Sequence, residues 1–154
     1  MTESLVPRLA ADTVVLRAWR LHDVDQVFQA CQDEQIQRWT TVPVPYLREH
    51  AEQFILEATQ RWESGSATFA AAHPTSDRVI GSFGFVTAPS DGVVEIGYWV
   101  ASDARGQGVA TAATRLLCGW GFDSLELARI EWRAEVGNVA SRMVAEACGF
   151  TVEG

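Results

Sequence analysis

An α+β fold, with one mixed, mostly antiparallel sheet and helices packed on it, is what the sequence predicts. Three observations carry that prediction. Apolar residues recur with strand and helix periods by turns, in the order β-α-α-β-β-β-α-β-α-β. Three β-rich runs follow one another in the middle of the chain, separated only by turn residues, which is the pattern of an antiparallel meander. The 154 residues are 47% apolar and 21% charged, which suits one packed domain and is too apolar for a disordered chain.

The elements follow in order. Residues 13–20 (TVVLRAWR) are rich in β-branched side chains and predict the first strand. Asp23 is a candidate N-cap, and Val24, Val27, Phe28 and Cys31 fall on one face of the helix after it. Pro43 and Pro45 predict a loop over 36–45. The clearest helix covers 46–64, where Leu47, Ala51, Phe54, Ile55, Ala58 and Trp62 form one stripe and Gly65 is a stop signal. Strands are expected over 67–73, 78–87 and 93–101. A helix over 108–122 presents Val109, Ala113, Leu116, Leu117 and Trp120 on one side. Residues 129–136 alternate strictly: Ile130, Trp132, Ala134 and Val136 face one way, Arg129, Glu131, Arg133 and Glu135 the other. A helix over 138–148 ends at Gly149, and 150–152 begins one more strand. Trp62, Trp120 and Trp132 are expected in the core.

Charge and composition narrow the function. Twelve Lys+Arg against twenty Asp+Glu leave a formal charge of −8, and the pI is about 4.8. A protein that neutralises phosphates should be basic, so nucleic acid is not the expected partner, and a cationic one fits better. No apolar run approaches the roughly 18–20 residues that span a bilayer. Residues 1–12 lack a basic stretch followed by an apolar one, so no secretory signal is expected. Cys31, Cys118 and Cys148 are odd in number and dispersed, which predicts free thiols in a reducing cytoplasm. His22, His50 and His73 show no metal-ligand spacing, so no metal is expected.

The sharpest motif is Arg105-Gly106-Gln107-Gly108-Val109-Ala110, set between a predicted strand and a predicted helix. Two glycines let the backbone turn tightly and leave its amides unshielded. Those amides join the unpaired donors and positive dipole end of the helix, which makes a pyrophosphate cradle. No Lys-Ser/Thr follows, so it is not a Walker loop. The dinucleotide fingerprint's third glycine is missing as well. The plain alternative is a glycine-rich helix entry with no ligand.

Context bears on that choice. Glu95-Ile96-Gly97-Tyr98-Trp99-Val100 precedes the motif, and Asn138-Val139-Ala140-Ser141 and Glu146-Ala147-Cys148-Gly149-Phe150 follow it. This set resembles the GNAT superfamily of acetyl-coenzyme A dependent N-acetyltransferases, whose R/Q-x-x-G-x-G/A signature is matched by Arg105, Gly108 and Ala110. With Arg38-Trp39 and Pro43-Val44-Pro45-Tyr46, the resemblance is to the branch named for RimJ and RimL, which acetylate the N-terminal α-amine of ribosomal proteins. It covers nearly the whole chain. Members of the family continue past this glycine-phenylalanine through a final strand pair, so residues 1–154 are expected to form one acetyltransferase domain without the family's last strand.

The resemblance implies acetyl-coenzyme A as cosubstrate and direct attack of an amine on its thioester. Backbone amides of residues 105–110 (Arg105, Gly106, Gln107, Gly108, Val109, Ala110) would hold the pyrophosphate. Gly97, Tyr98, Trp99 and Val100 would pair with the pantetheine arm like an extra strand, at a family bulge whose amide polarises the thioester oxygen. Glu95 is the candidate base, with a carboxylate among apolar rings expected to have a raised pKa; otherwise it is a solvated charge on a strand. Asn138 is a candidate N-cap by its position, and the resemblance adds a hydrogen bond to pantetheine. Ser141 would return a proton to the leaving thiolate, or be an ordinary first-turn serine, with Tyr98 as the rival donor. Trp39 and Tyr46 would wall the acceptor site. No histidine is placed to activate a cysteine, so a thiolate nucleophile is not expected. The acceptor is a cationic amine. A protein or peptide N-terminal α-amine is the expected acceptor; a small amine such as an aminoglycoside or polyamine is the rival, and a coenzyme A-binding module without turnover is the third alternative. The chain would act as a monomer or homodimer.

Overall fold

The computed structural model describes residues 6–154. The N-terminal stretch read as lacking a secretory signal therefore lies partly outside the described residues. Among the described residues six strands form one sheet in sequential order. They are β1 (Leu9–Ala10), β2 (Val15–Arg17), β3 (Thr68–Ala72), β4 (Val79–Phe85), β5 (Val93–Val100) and β6 (Arg129–Glu131). Neighbours from β1 to β5 pair antiparallel, and β6 joins β5 in parallel. The mixed, mostly antiparallel sheet and its central meander are as expected.

Among the described residues five α-helices cover it: α1 (Val24–Ala30), α2 (Glu34–Trp39), α3 (Arg48–Glu63), α4 (Val109–Ser124) and α5 (Val139–Ala147). Strand alternation divides the core in two. On one face Leu16, Phe69, Phe83 and Ile96 cluster with Ala113 and Leu117 of α4. On the other, Ala70, Val79 and Trp99 cluster with Val27 of α1 and Ile55 of α3. Because both faces are covered, β3 and β4 are buried at every position. Trp62 and Trp120 pack on the first cluster with centroids 5.7 Å apart, as expected of core tryptophans.

Several local expectations are corrected. Residues 36–45 are not all loop. Asp33 Oδ2 accepts the Ile36 N–H at 3.0 Å and starts α2, which ends at Trp39, so Pro43 and Pro45 act only after the helix. The strand over 129–136 stops at Glu131, because the pairing with β5 ends there. No strand forms over 150–152; instead the Phe150 ring packs 5.3 Å from that of Trp132. Helix α3 begins at Arg48, two residues late, where His50 Nδ1 accepts the Leu47 N–H at 2.9 Å. Asp23 precedes α1 but makes no cap bond to it. Its buried carboxylate takes Arg17 through two hydrogen bonds, at 2.9 and 3.1 Å, and ties the end of β2 to the entry of α1.

One stability prediction arises here. Gly119 lies inside α4, is exposed, and a methyl group there would meet nothing within 4 Å. Gly119→Ala is expected to stabilise the fold by about 0.5–1 kcal/mol. Calorimetry should show the thermal midpoint rising by about 2 °C.

Candidate active site

The site begins where the sheet opens. β6 pairs with β5 only from Val93 to Glu95, while β5 runs on to Val100 beside β4. The Val86 N–H donates to the Glu95 carbonyl at 2.8 Å, and the Ala101 N–H to the Ile80 carbonyl at 2.9 Å. Antiparallel ladders alternate residue by residue. The peptide groups of Gly97 and Trp99 therefore turn toward β4, and those of Ile96, Tyr98 and Val100 turn into the gap. Such an edge accepts an extended ligand as one more strand. Of the four residues 97–100 named from sequence, Tyr98 and Val100 offer peptide groups to the gap. Ile96 joins them; its part depends on which side of β5 is paired, which no local pattern reports.

Beyond β5, a short 3-10 turn (Ser102–Ala104) leads into the glycine motif. Gly106 and Gly108 have φ of 73° and 76°, the left-handed region that glycine enters without strain. A Cβ added to either would meet nothing within 4 Å, so the space above the loop is open. Gly108 is the N-cap of the 16-residue α4, whose first-turn amides and dipole favour an anion. The loop thus fits a pyrophosphate. Two side chains of the motif turn to the protein instead. Gln107 Nε2 donates to the Asp103 carbonyl at 3.1 Å. Arg105 Nη2 donates to Asp33 Oδ2 at 2.6 Å and to the Val100 carbonyl at 3.1 Å.

A single cleft of about 1250 Å³ joins these parts. Val109 and Ala110 of α4 lie at the loop end, and Glu95, Asn138 and Ser141 line the middle. Trp39 and Tyr46 lie on the side of α2 and α3. Gln107 alone among the candidate residues is outside the lining. The Glu95 side chain is 34% exposed, and Arg133 Nε stands 3.4 Å from its Oε1, so its close neighbour is a cation as well as the apolar strand. Asn138 Oδ1 accepts the Ser141 N–H at 3.2 Å, so it caps α5 as its position suggested. The Ser141 hydroxyl oxygen accepts the Trp132 Nε1–H at 3.0 Å, which leaves the hydroxyl proton free to donate. The Tyr98 ring is tilted against that of Trp132, with centroids 5.2 Å apart. Burial pushes its phenol above the usual range, partly offset by the Ser141 hydroxyl, so it stays protonated.

Trp132 is therefore more than core: it lines the cleft and orients Ser141. Its place in an alternating run could not tell those roles apart. Tyr46 is 4% exposed and packed with Cys31 and Ile55, so it meets the cleft from within the core. Trp39 is partly exposed, and its Nε1–H donates to Gln35 at 3.0 Å. Burial pushes the thiols of Cys31 and Cys118 up to about 12 and raises that of Cys148, which disfavours a thiolate nucleophile. Among the described residues no group of three or more His, Cys, Asp or Glu could hold a metal ion, and no helix is long and apolar enough to cross a membrane.

Similarity to known proteins agrees with this geometry. A 60-residue segment is 50% identical to "Putative ribosomal N-acetyltransferase YdaF" of Bacillus subtilis (strain 168). That match covers 39% of this chain, and the chain spans about a third of that relative (33%). A second relative, "Uncharacterized N-acetyltransferase p20" of Bacillus licheniformis, is 28% identical over 148 residues, 95% of this chain and 83% of the other. The solved structure of Mycobacterium smegmatis RimJ in complex with CoA-disulfide superposes with a TM-score of 0.83 at 25% identity, covering 97% of this chain and 76% of that one. The family described as "Acetyltransferase (GNAT) domain" matches residues 13–151. The chain belongs to the GNAT family of acetyltransferases, enzymes that take their acetyl group from acetyl-coenzyme A.

Proposed function

We propose that this acetyltransferase acts on the N-terminal α-amine of a protein, by direct attack of the amine on the thioester within one cleft. The observation that carries the reading is the continuity of that cleft, from the Gly106–Gly108 loop along the open edge of β5 to Glu95 and on to Trp39. Acetyl-coenzyme A supplies an acyl group already activated as a thioester. The amides at 106–110 hold its phosphates, and the unpaired peptide groups of Ile96 and Tyr98 align its arm, beside a Val100 carbonyl already held by Arg105. The edge amides that face the gap are the available donors toward a thioester oxygen. Asn138 keeps its side-chain amide N–H groups for pantetheine while its oxygen caps α5. Glu95 takes a proton from the incoming ammonium, directly or through water. Ser141, with its oxygen already engaged by Trp132, gives its proton to the leaving thiolate, and Tyr98 stands behind it.

The choice of amine rests on proton chemistry, and the name of the YdaF relative points the same way. An α-amine has a pKa near 7.7–8.0, a lysine amine near 10.4, so the former spares about 3–4 kcal/mol of deprotonation at neutral pH. A net charge of −8 attracts a basic chain behind that terminus. An acceptor of the ribosomal-protein type also puts the enzyme in the cytoplasm, and residues 1–154 then serve as one catalytic domain. The test is thiol release with a panel of peptides and small amines. Free-terminus peptides should turn over faster than the same peptides blocked at the terminus but carrying lysine. Added salt should raise KM for basic peptides more than for neutral ones. Turnover of an aminoglycoside or polyamine with no free-terminus peptide used would make it a small-molecule enzyme. Coenzyme A binding without any turnover would make it a binding module.

A further inference from the structure

Helix α2 has six residues, too few to hold its shape or direction without tertiary contacts. Its fixings are specific. Ile36 is buried in the cluster under α1 and α3. At the far end the Trp39 ring reaches the turn before α5, where a Cβ added to Gly137 would lie 3.4 Å from its Cη2. At the near end Asp33 Oδ2 serves two donors at once: the Ile36 N–H at 3.0 Å, which caps the helix, and Arg105 Nη2 at 2.6 Å. The same Arg105 nitrogen holds the Val100 carbonyl at the end of the open strand edge. One guanidinium nitrogen therefore joins the glycine loop, the edge of β5 and the start of α2, across 72 residues of sequence.

We propose that Asp33 is a positioning residue, tying the acceptor-side helix α2 to the glycine loop so that occupancy of the loop sets the placement of Trp39. The inference rests on the reading that residues 105–110 hold the donor's phosphates and that α2 walls the acceptor side. Asp33 is suited to the task because one carboxylate both caps and bridges. The bonded Arg105 guanidinium holds its carboxyl below the usual carboxylate range, so the tie persists at neutral pH. The side chains of Arg105 and Asp33 are 37% and 21% exposed, which makes the tie weak enough for a ligand at the loop to shift it.

The test separates bridging from capping. Serine is a preferred N-cap but is too short to reach Arg105, whereas alanine does neither. Amide hydrogen exchange over residues 34–42 is measured in the wild type, Asp33→Ser and Asp33→Ala, with and without coenzyme A. Calorimetry gives each coenzyme A affinity. Both variants should exchange this segment about threefold faster than wild type in the free protein. Coenzyme A should raise its protection in the wild type but not in either variant. Wild-type behaviour of Asp33→Ser, with only Asp33→Ala disturbed, would show a cap and nothing more and overturn the proposal. Equal exchange in all three proteins would overturn it too. If the wild type fails to bind coenzyme A, the reading of the loop falls, and with it the coupling to Trp39. If coenzyme A binds but leaves 34–42 unchanged, the loop reading stands and the coupling alone fails.

Discussion

Glu95→Gln should lower kcat about a hundredfold or more, the range expected when a positioned proton acceptor is removed. Glu95 sits where β5 parts from β6, on the strand face it shares with Gly97 and Trp99, so its carboxylate looks into the cleft beside the free edge. Glutamine has the same shape and no basic oxygen, and the affinity for coenzyme A should change less than twofold. That pattern, a rate loss without a binding loss, is the signature of a group that acts in the transition state. The rival role is pairing with Arg133 at 3.4 Å, an exposed contact worth little. Arg133→Gln is the matching control. A kcat for Glu95→Gln within threefold of wild type, with the peptide KM also unchanged, would leave Glu95 as a solvated charge.

Gly108→Val should weaken coenzyme A binding at least tenfold, about 1.4 kcal/mol. Two effects combine. A β-branched residue is strained at a φ of 76°, so the loop is pulled from its present path. Its side chain would also occupy the open space over the loop, where at present nothing lies within 4 Å of an added Cβ. The fold should survive, because Gly108 is exposed and precedes the buried part of α4. Calorimetric titration gives the affinity, and circular dichroism checks the helix content. An intact fold with unchanged affinity would remove the pyrophosphate assignment.

Much of the local geometry of this candidate site was legible in order along the chain, for local reasons. Glycines that open a helix, a carboxylate on a strand and an asparagine before an apolar stripe each carry their meaning in a few residues. Asn138 caps α5 as its position suggested, and Gly106 and Gly108 take the left-handed conformations that the motif needs. Helix α2 was legible too, in the Asp33-x-x-Ile36 cap, but two prolines downstream drew the whole segment into a loop. The error came from extending a breaker's effect backward past where it acts, since proline restricts mainly its own residue and the one before it.

By itself the sequence determined the class of fold, the central meander, the position of the glycine loop and the acidic surface, because periodicity, turn chemistry and charge are properties of neighbouring residues. Only the tertiary structure decided that β6 ends at Glu131 despite an alternation running to Val136. Alternation records which side chains face inward. A strand also needs a partner for its peptide groups, and whether β5 stays alongside or diverges is a long-range matter. The same divergence frees the peptide groups of Ile96 and Tyr98 and turns Trp132 from the ladder to Ser141. It leaves room for the cleft, near which Arg105 meets Asp33, a contact between residues 72 positions apart that no local pattern encodes.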